Sequence, residues 1–300
     1  MFKKLYFIFH IVIFCLLSIV LYSNPSLATD IIVGDRLVYI VKKGDNLSLV
    51  SAKLGTSLEK IIKDNNIDPK KNLQIGQKIL VDTRKIVPLM IHDGIIVNIP
   101  DRTLYYIEKG TIKVSFPVGL GMPSWRGKIT WRTPLGKFKI VGKRQDPFWR
   151  VPPSIAKKMA LEGKHVEEVV PPGPDNPLGK YALDTNIPSI VIHETIWPTS
   201  IYQFRSHGCI RVHPDNMEGF FKMIKVNTSG ELIYEPVKIA VVGNKRVLLE
   251  VHKDIYGLSK DLFEKARQLI EARGLAGAVN WEKVEMVVRE RLGVPEDVTL

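Results

Sequence analysis

Ser206-His207-Gly208-Cys209-Ile210-Arg211 gathers a hydroxyl, an imidazole, a thiol and a guanidinium within six residues. The chain has two cysteines, and the other, Cys15, lies in an N-terminal apolar run. A thiol is a weak nucleophile until a base takes its proton or a charge holds the thiolate, and a nearby imidazole is the usual agent. Two more histidines could serve as that base. His213 lies four residues on, and His193 closes the apolar stretch Ile190-Val191-Ile192-His193. The chemistry these residue types support is acyl transfer through a Cys/His pair.

The spacing separates the histidines. His207 and Cys209 are two apart and can share a face, whereas a strand ending at His193 brings an imidazole to the sulfur from a different element. Gly208 fits a tight approach to the nucleophile, because without a Cβ it tolerates unusual dihedrals and leaves room for substrate. Backbone N–H groups around 207–209 can then form an oxyanion hole. A rival reading uses the same atoms: His193, His207, Cys209 and His213 are all zinc-ligand types, though their spacing matches no recognised finger pattern. His213 also stands just before a helical stretch, where a cap or surface role suits it.

Residues 1–28 set the compartment. A basic start (Lys3, Lys4), an apolar run from Leu5 to Tyr22 and a small-x-small exit at Ser26-Leu27-Ala28 read as a secretory signal cleaved after Ala28. Left uncleaved, the run is long enough to be a membrane anchor. The protein is therefore expected to be exported, to the periplasm or cell envelope. Cleavage would leave Cys209 as the sole thiol of the mature chain, unable to be half of an internal disulfide under oxidising conditions. The formal net charge of +12 becomes +10 once both lysines leave, with 41 basic residues against 31 acidic ones. Such a surface suits anionic envelope polymers or lipids. Nucleic acid is not expected as a partner, since there is no concentrated basic helix and no RNA-type aromatic motif.

Taken with the apolar strand that ends in His193, Ser-His-Gly-Cys-Ile-Arg resembles the signature of the L,D-transpeptidases with a YkuD-type catalytic domain, cysteine enzymes that remodel peptidoglycan. Val118-Gly119-Leu120-Gly121, Thr133-Pro134-Leu135-Gly136-Lys137-Phe138 and Pro174 through Leu183 are similar to that family in order and character. The resemblance covers roughly residues 94–242. It implies that Cys209 is the nucleophile and His193 the base, oriented by the backbone carbonyl of Glu194. It further implies that His207 and Gly208 shape the oxyanion hole and that Arg211 stands beside the substrate, with Ser206 and Tyr181 as further substrate contacts. Tyr181 serves equally well as a core aromatic. The implied reaction acylates the thiol with the third residue of a donor tetrapeptide stem, releases D-alanine, and passes the acyl group to an amine. The acceptor would be a second stem, an attached protein or an amino acid, with water as the carboxypeptidase alternative. Acylation by carbapenems is another implication. Acid-base chemistry with a covalent intermediate calls for no metal or organic cofactor. The family often has Gly after the base histidine; Glu194 there would place a carboxylate at the pocket rim.

Residues 37–82 read as a β-α-α-β unit. Val38 to Val41 is strand-like, Lys43-Gly44-Asp45-Asn46 is a turn, Leu47, Val50 and Leu54 recur at helical spacing before Gly55, and Ser57 caps a second helix with Leu58, Ile61 and Ile62 facing inward. Lys78 to Val81 is the closing strand. This unit resembles the LysM module through Tyr39 to Leu47 and Leu73 to Ile79, which implies binding of wall glycan containing N-acetylglucosamine by the loops at 44–48 and 66–70. A non-catalytic wall-binding protein is accordingly the alternative function.

The remaining stretches complete a mostly β architecture. Residues 83–93 read as a linker, and the short strands from Ile95 onward argue for a β-sandwich-like domain over 94–242. Gly119 to Pro134 reads as a long loop in which Trp125 and Trp131 pin the chain or touch ligand. Helices are expected at 154–160 and 214–226. From 243 to 300 the chain completes a hairpin begun at Val237 and adds two helices, capped by Ser259 and Asn280, as a C-terminal appendage.

Overall fold

The structure is a computed structural model that describes residues 31–88, 93–124, 130–243 and 245–300. The expected leader over 1–28 and Trp125 lie outside those residues.

The first unit comprises β1 (Ile32–Val33), β2 (Arg36–Ile40), α1 (Leu47–Leu54), α2 (Leu58–Asn65), β3 (Lys78–Asp82) and β4 (Lys85–Ile86). Local chemistry sets both helices. Asn46 caps α1 by accepting from Leu49 N, and Gly55 ends it at φ 65; Ser57 caps α2, and Asn66 ends it at φ 50. Val41, Val50, Ile61, Ile79 and Val81 form the core beneath the β2–β3 pair. So small a core supplies limited stability on its own. Here α1 is also docked outward: Ala52, fully buried, packs on Ile201 and Tyr202.

Residues 83–88 do not form a free linker. β4 pairs with β1, and Lys85, Ile86 and Val87 are all buried. The reason lies in long-range bonds: Ile86 N donates to Glu250 Oε2 at 2.6 Å, and Lys238 Nζ donates to Ile86 O at 2.6 Å.

The central unit runs β5 (Gly94–Asn98), β6 (Thr103–Glu108), β7 (Thr111–Gly121), β8 (Gly136–Gln145), β9 (Trp149–Arg150), α3 (Pro153–Leu161), β10 (Val169–Val170), β11 (Tyr181–Thr185), β12 (Val191–Glu194), β13 (Phe204–Ser206), β14 (Ile210–Val212), α4 (Pro214–Met223) and β15 (Ser229–Ile233). Nine strands hydrogen-bond in the order β13-β7-β14-β12-β11-β8-β15-β5-β6, and β6 also pairs with β7. The β-sandwich-like layout is thus one mixed sheet bent round a shared core, with Ile95, Leu104, Val118, Ile140, Leu183, Ile192 and Ile210 inside. Helix α4 closes one side of that core with Met217 and Phe220. The expected loop from Gly119 begins later, because Gly119 and Leu120 continue β7 opposite β14 and β13.

The last unit holds β16 (Val237–Val242), β17 (Arg246–Val251), α5 (Leu262–Ala272), α6 (Trp281–Glu290) and β18 (Glu296–Asp297). β16 bonds to β17 and not to the central sheet, so by its pairing it belongs here, and a boundary after Val242 would cut a hairpin. Asp261, not Ser259, caps α5, accepting from Phe263 N and Glu264 N; Ser259 N is already bound to the Asp254 carboxylate. Asn280 caps α6 as the sequence indicates. The unit has its own core of Ile239, Leu249, Ala266, Ile270, Val284 and Val287. It also touches the first unit: Ser57 Oγ donates to Leu292 O, and Lys60 lies 3.1 Å from Glu296.

Candidate active site

Three neighbouring strands position the site. β12 lies between β11, antiparallel with Ala182 opposite His193, and β14, parallel with His193 opposite Arg211. Side chains alternate along a strand. Cys209 lies in the turn between β13 and β14, one residue before β14, with its sulfur against Ser189 O and the Val191 N–H at the head of the strand that carries His193, and the Arg211 charge acts on both the thiol and the imidazole.

His193 is buried, and its Nδ1 lies 2.6 Å from Glu194 O. A carbonyl can only accept, so the ring proton sits on Nδ1 and Nε2 keeps its lone pair. Burial, aided by the Arg211 charge, pulls this imidazole down to about 4, so it is neutral at physiological pH. Burial likewise pushes the Cys209 thiol up, against a smaller opposing pull from the Val191 N–H and the Arg211 guanidinium. The thiol donates to Ser189 O at 3.3 Å. The resting pair is thus neutral thiol and neutral imidazole.

The turn itself is clasped from within. Gly208 has φ +111, and a Cβ there would stand 3.0 Å from Ile190 Cδ1. Ser206 Oγ donates to Cys209 O at 2.5 Å and accepts from Gly208 N at 3.2 Å. Ser206 is buried and engaged with the turn, which makes it a clasp and not the expected substrate contact. His207 packs its ring 4.0 Å from that of Trp131; burial first, then the Lys158 and Arg211 charges, hold its imidazole at about 4. Trp131 therefore pins its loop onto the turn. Arg211 sits 5.4 Å over the Trp197 ring, its Nε buried without a hydrogen-bond partner among the described residues.

Three other expectations are resolved by position. Tyr181 packs in the core 4.8 Å from the Phe221 ring, which favours the core role over substrate contact. Glu194 alternates away from His193 and rests on Gly179, where a Cβ would come 2.7 Å from its own Cβ; the carboxylate is not at the rim on the His193 face. His213 caps α4, accepting from Asp215 N at 3.2 Å. The His/Cys/acid group with converging ligand atoms among the described residues is Asp101, Glu250 and His252, far along the chain from Cys209. Lys238 already occupies it, 2.6 Å from Asp101 and 3.0 Å from Glu250.

Two residues beside the turn carry no role that the sequence alone assigns. Thr133 Oγ1 donates to Gly208 O at 2.9 Å, and Tyr256 OH bonds to Thr133 N and Gly121 O. Thr133 stands out only as part of a family-like stretch, and Tyr256 carries no signal because it comes from beyond the resembling region.

Comparison with known proteins agrees with this layout. The L,D-transpeptidase catalytic domain of YkuD type matches residues 92–239, and the LysM domain matches residues 39–82. The protein named "Probable L,D-transpeptidase YbiS" of Escherichia coli (strain K12) is 30% identical over 255 residues, spanning 82% of this chain and 80% of that one. "Probable L,D-transpeptidase ErfK/SrfK" of Salmonella typhimurium (strain LT2) is 27% identical over 278 residues, 89% of this chain and 88% of that one. The chain belongs to the L,D-transpeptidase family and carries a LysM domain ahead of the catalytic one.

Proposed function

We propose that the protein is an exported peptidoglycan L,D-transpeptidase in which Cys209 is the nucleophile and His193 the general base. The observation that carries this reading is the His193 imidazole, its Nδ1 proton committed to Glu194 O at 2.6 Å and its Nε2 left basic, on the strand whose head the Cys209 sulfur meets at Ser189 O and the Val191 N–H. The thiol proton passes to Nε2 as sulfur attacks the carbonyl of the third residue of a tetrapeptide stem. The resulting oxyanion takes backbone N–H groups of the 207–209 turn. The C–N bond breaks, and the imidazolium returns the proton to departing D-alanine. An acceptor amine then attacks the thioester and gives a proton to His193; the C–S bond breaks, and the imidazolium returns that proton to the departing Cys209 sulfur.

Because both groups rest neutral, the proton moves during attack and not beforehand. Arg211, a half-buried cation with no carboxylate partner among the described residues, suits an anionic group of the donor stem. Its stacking on Trp197 holds it in place. The LysM domain would hold wall glycan through the loops at 44–48 and 66–70, placing the enzyme in the periplasm or cell envelope. Asp45 stiffens the first loop by accepting from Tyr39 OH, Lys42 N and Lys53 Nζ. Purified muropeptides, incubated with enzyme and read by mass, should yield 3-3 cross-linked or amine-exchanged products; Cys209→Ala should yield none while still binding glycan. Turnover by that variant would remove the thiol from the mechanism. Products showing only loss of D-alanine would assign water as the acceptor.

A further inference from the structure

We propose that Tyr256, contributed by the C-terminal extension, is a positioning residue for acyl transfer that orients the Gly208–Cys209 peptide through Thr133. The inference rests on Cys209 being the nucleophile.

The hydrogen-bond directions are fixed by elimination. Tyr256 OH lies 2.6 Å from Gly121 O, which can only accept, so the phenol proton goes there. The phenol oxygen then accepts from Thr133 N at 3.1 Å. Thr133 Oγ1 accepts from Gly121 N at 2.9 Å and so spends its own proton on Gly208 O, also at 2.9 Å. Gly208 C=O and the Cys209 N–H share one planar trans peptide and point in opposite directions. Fixing the carbonyl on Thr133 therefore aims the Cys209 N–H away from it. Gly208's own N–H is taken by Ser206, so between these two amides the Cys209 N–H is the one the turn offers to an oxyanion.

The tyrosine is itself held firmly. It is 3% exposed, its N–H donates to Tyr234 OH at 3.0 Å, and Tyr234 OH donates to Asp254. Its ring stacks on Tyr234 at 5.8 Å and meets Phe204, the first residue of β13, at 5.6 Å. The segment after β17 thus crosses back onto the catalytic sheet and props the nucleophile turn from behind.

Tyr256→Phe keeps the ring and deletes the hydroxyl. Two reactions of Cys209 separate positioning from packing: acylation by a carbapenem, which develops an oxyanion, and alkylation by iodoacetamide, which does not. The variant should acylate about 10-fold more slowly in single turnover, short of the ~10²–10³ lost when an oxyanion donor is removed outright. Its concentration dependence and its alkylation rate should stay at wild-type levels. Thr133→Val should reproduce the defect, and supplies the same readout if Tyr256→Phe does not fold; Thr133→Ser should restore the rate. Wild-type acylation in both Tyr256→Phe and Thr133→Val, or acylation and alkylation falling together, overturns the proposal. A failure of the nucleophile assignment shows separately, as acylation of Cys209→Ala.

Discussion

His193 gives its Nδ1 proton to the carbonyl of the very next residue, Glu194, at 2.6 Å. The acceptor is backbone, so the bond survives any side chain at that position. Because the Glu194 side chain lies on the opposite face, Glu194→Gln should keep kcat and KM within about 2-fold, the usual scale for a change away from buried features. A loss of 10-fold or more would place the carboxylate in the site after all.

The pH dependence follows from two shifts. The imidazole of His193 is lowered to about 4, so its basic form persists far below the usual histidine range. Single-turnover acylation should hold down to about pH 5 and fall only as pH drops through 4. The thiol is raised, so iodoacetamide alkylation of Cys209 should keep climbing above pH 9 with no plateau near neutrality. A preformed thiolate-imidazolium pair would give the reverse: a flat alkylation profile from about pH 6 upward.

Gly208→Ala should fold and lose activity. At φ +111 an L side chain is strained, at about 1–3 kcal/mol, and its Cβ presses on Ile190. Relief of that strain requires turning the peptide that carries the proposed oxyanion donor. Kinetics alongside a urea melt test this, with near-wild-type turnover as the contrary result.

Lys238 sits buried between Asp101 and Glu250, with His252 2.6 Å from the same Glu250. Lys238→Ala leaves two carboxylates buried without their cation and should destabilise by roughly 3–5 kcal/mol in denaturant titration. The network also sets acid sensitivity. Glu250 is lowered from 4.5 to about 2, so its contribution is complete above about pH 4.5 and is lost as pH falls toward 2. His252 is lowered too, mainly by burial, so the folded state disfavours its protonated form and this contribution also fades below about pH 6.5. Stability measured from pH 7 downward should fall steadily across that range, and a flat profile would contradict the assignment.

Features written in local chemistry are legible in the sequence. The Ser57 and Asn280 caps and the strand that carries His193 require only neighbours within a few residues. β8, β13, β14 and β15 give no such signal. In β8 the lysines of Gly136-Lys137-Phe138-Lys139-Ile140 mask the two core residues, Phe138 and Ile140, and β13 and β14 are three residues each. The stretch at 83–88 looks solvated because Arg84 and Lys85 are charged, yet Lys85 is 3% exposed. Its burial depends on Glu250 and Lys238, more than 150 residues away, and no local pattern announces such a partner. Tyr256 is invisible for the same reason.

The burial of Ala52 against Ile201 and Tyr202 bears on how the enzyme meets its polymer. A glycan-binding module on a slack tether would let the catalytic centre sample any stem within reach. If the LysM domain grips glycan as proposed, a module bolted through a helix to the segment before β13 would have jaws set at a constant span, so the stem presented for attack would lie a set number of sugars from the point of grip, and the enzyme would measure along the strand like a caliper.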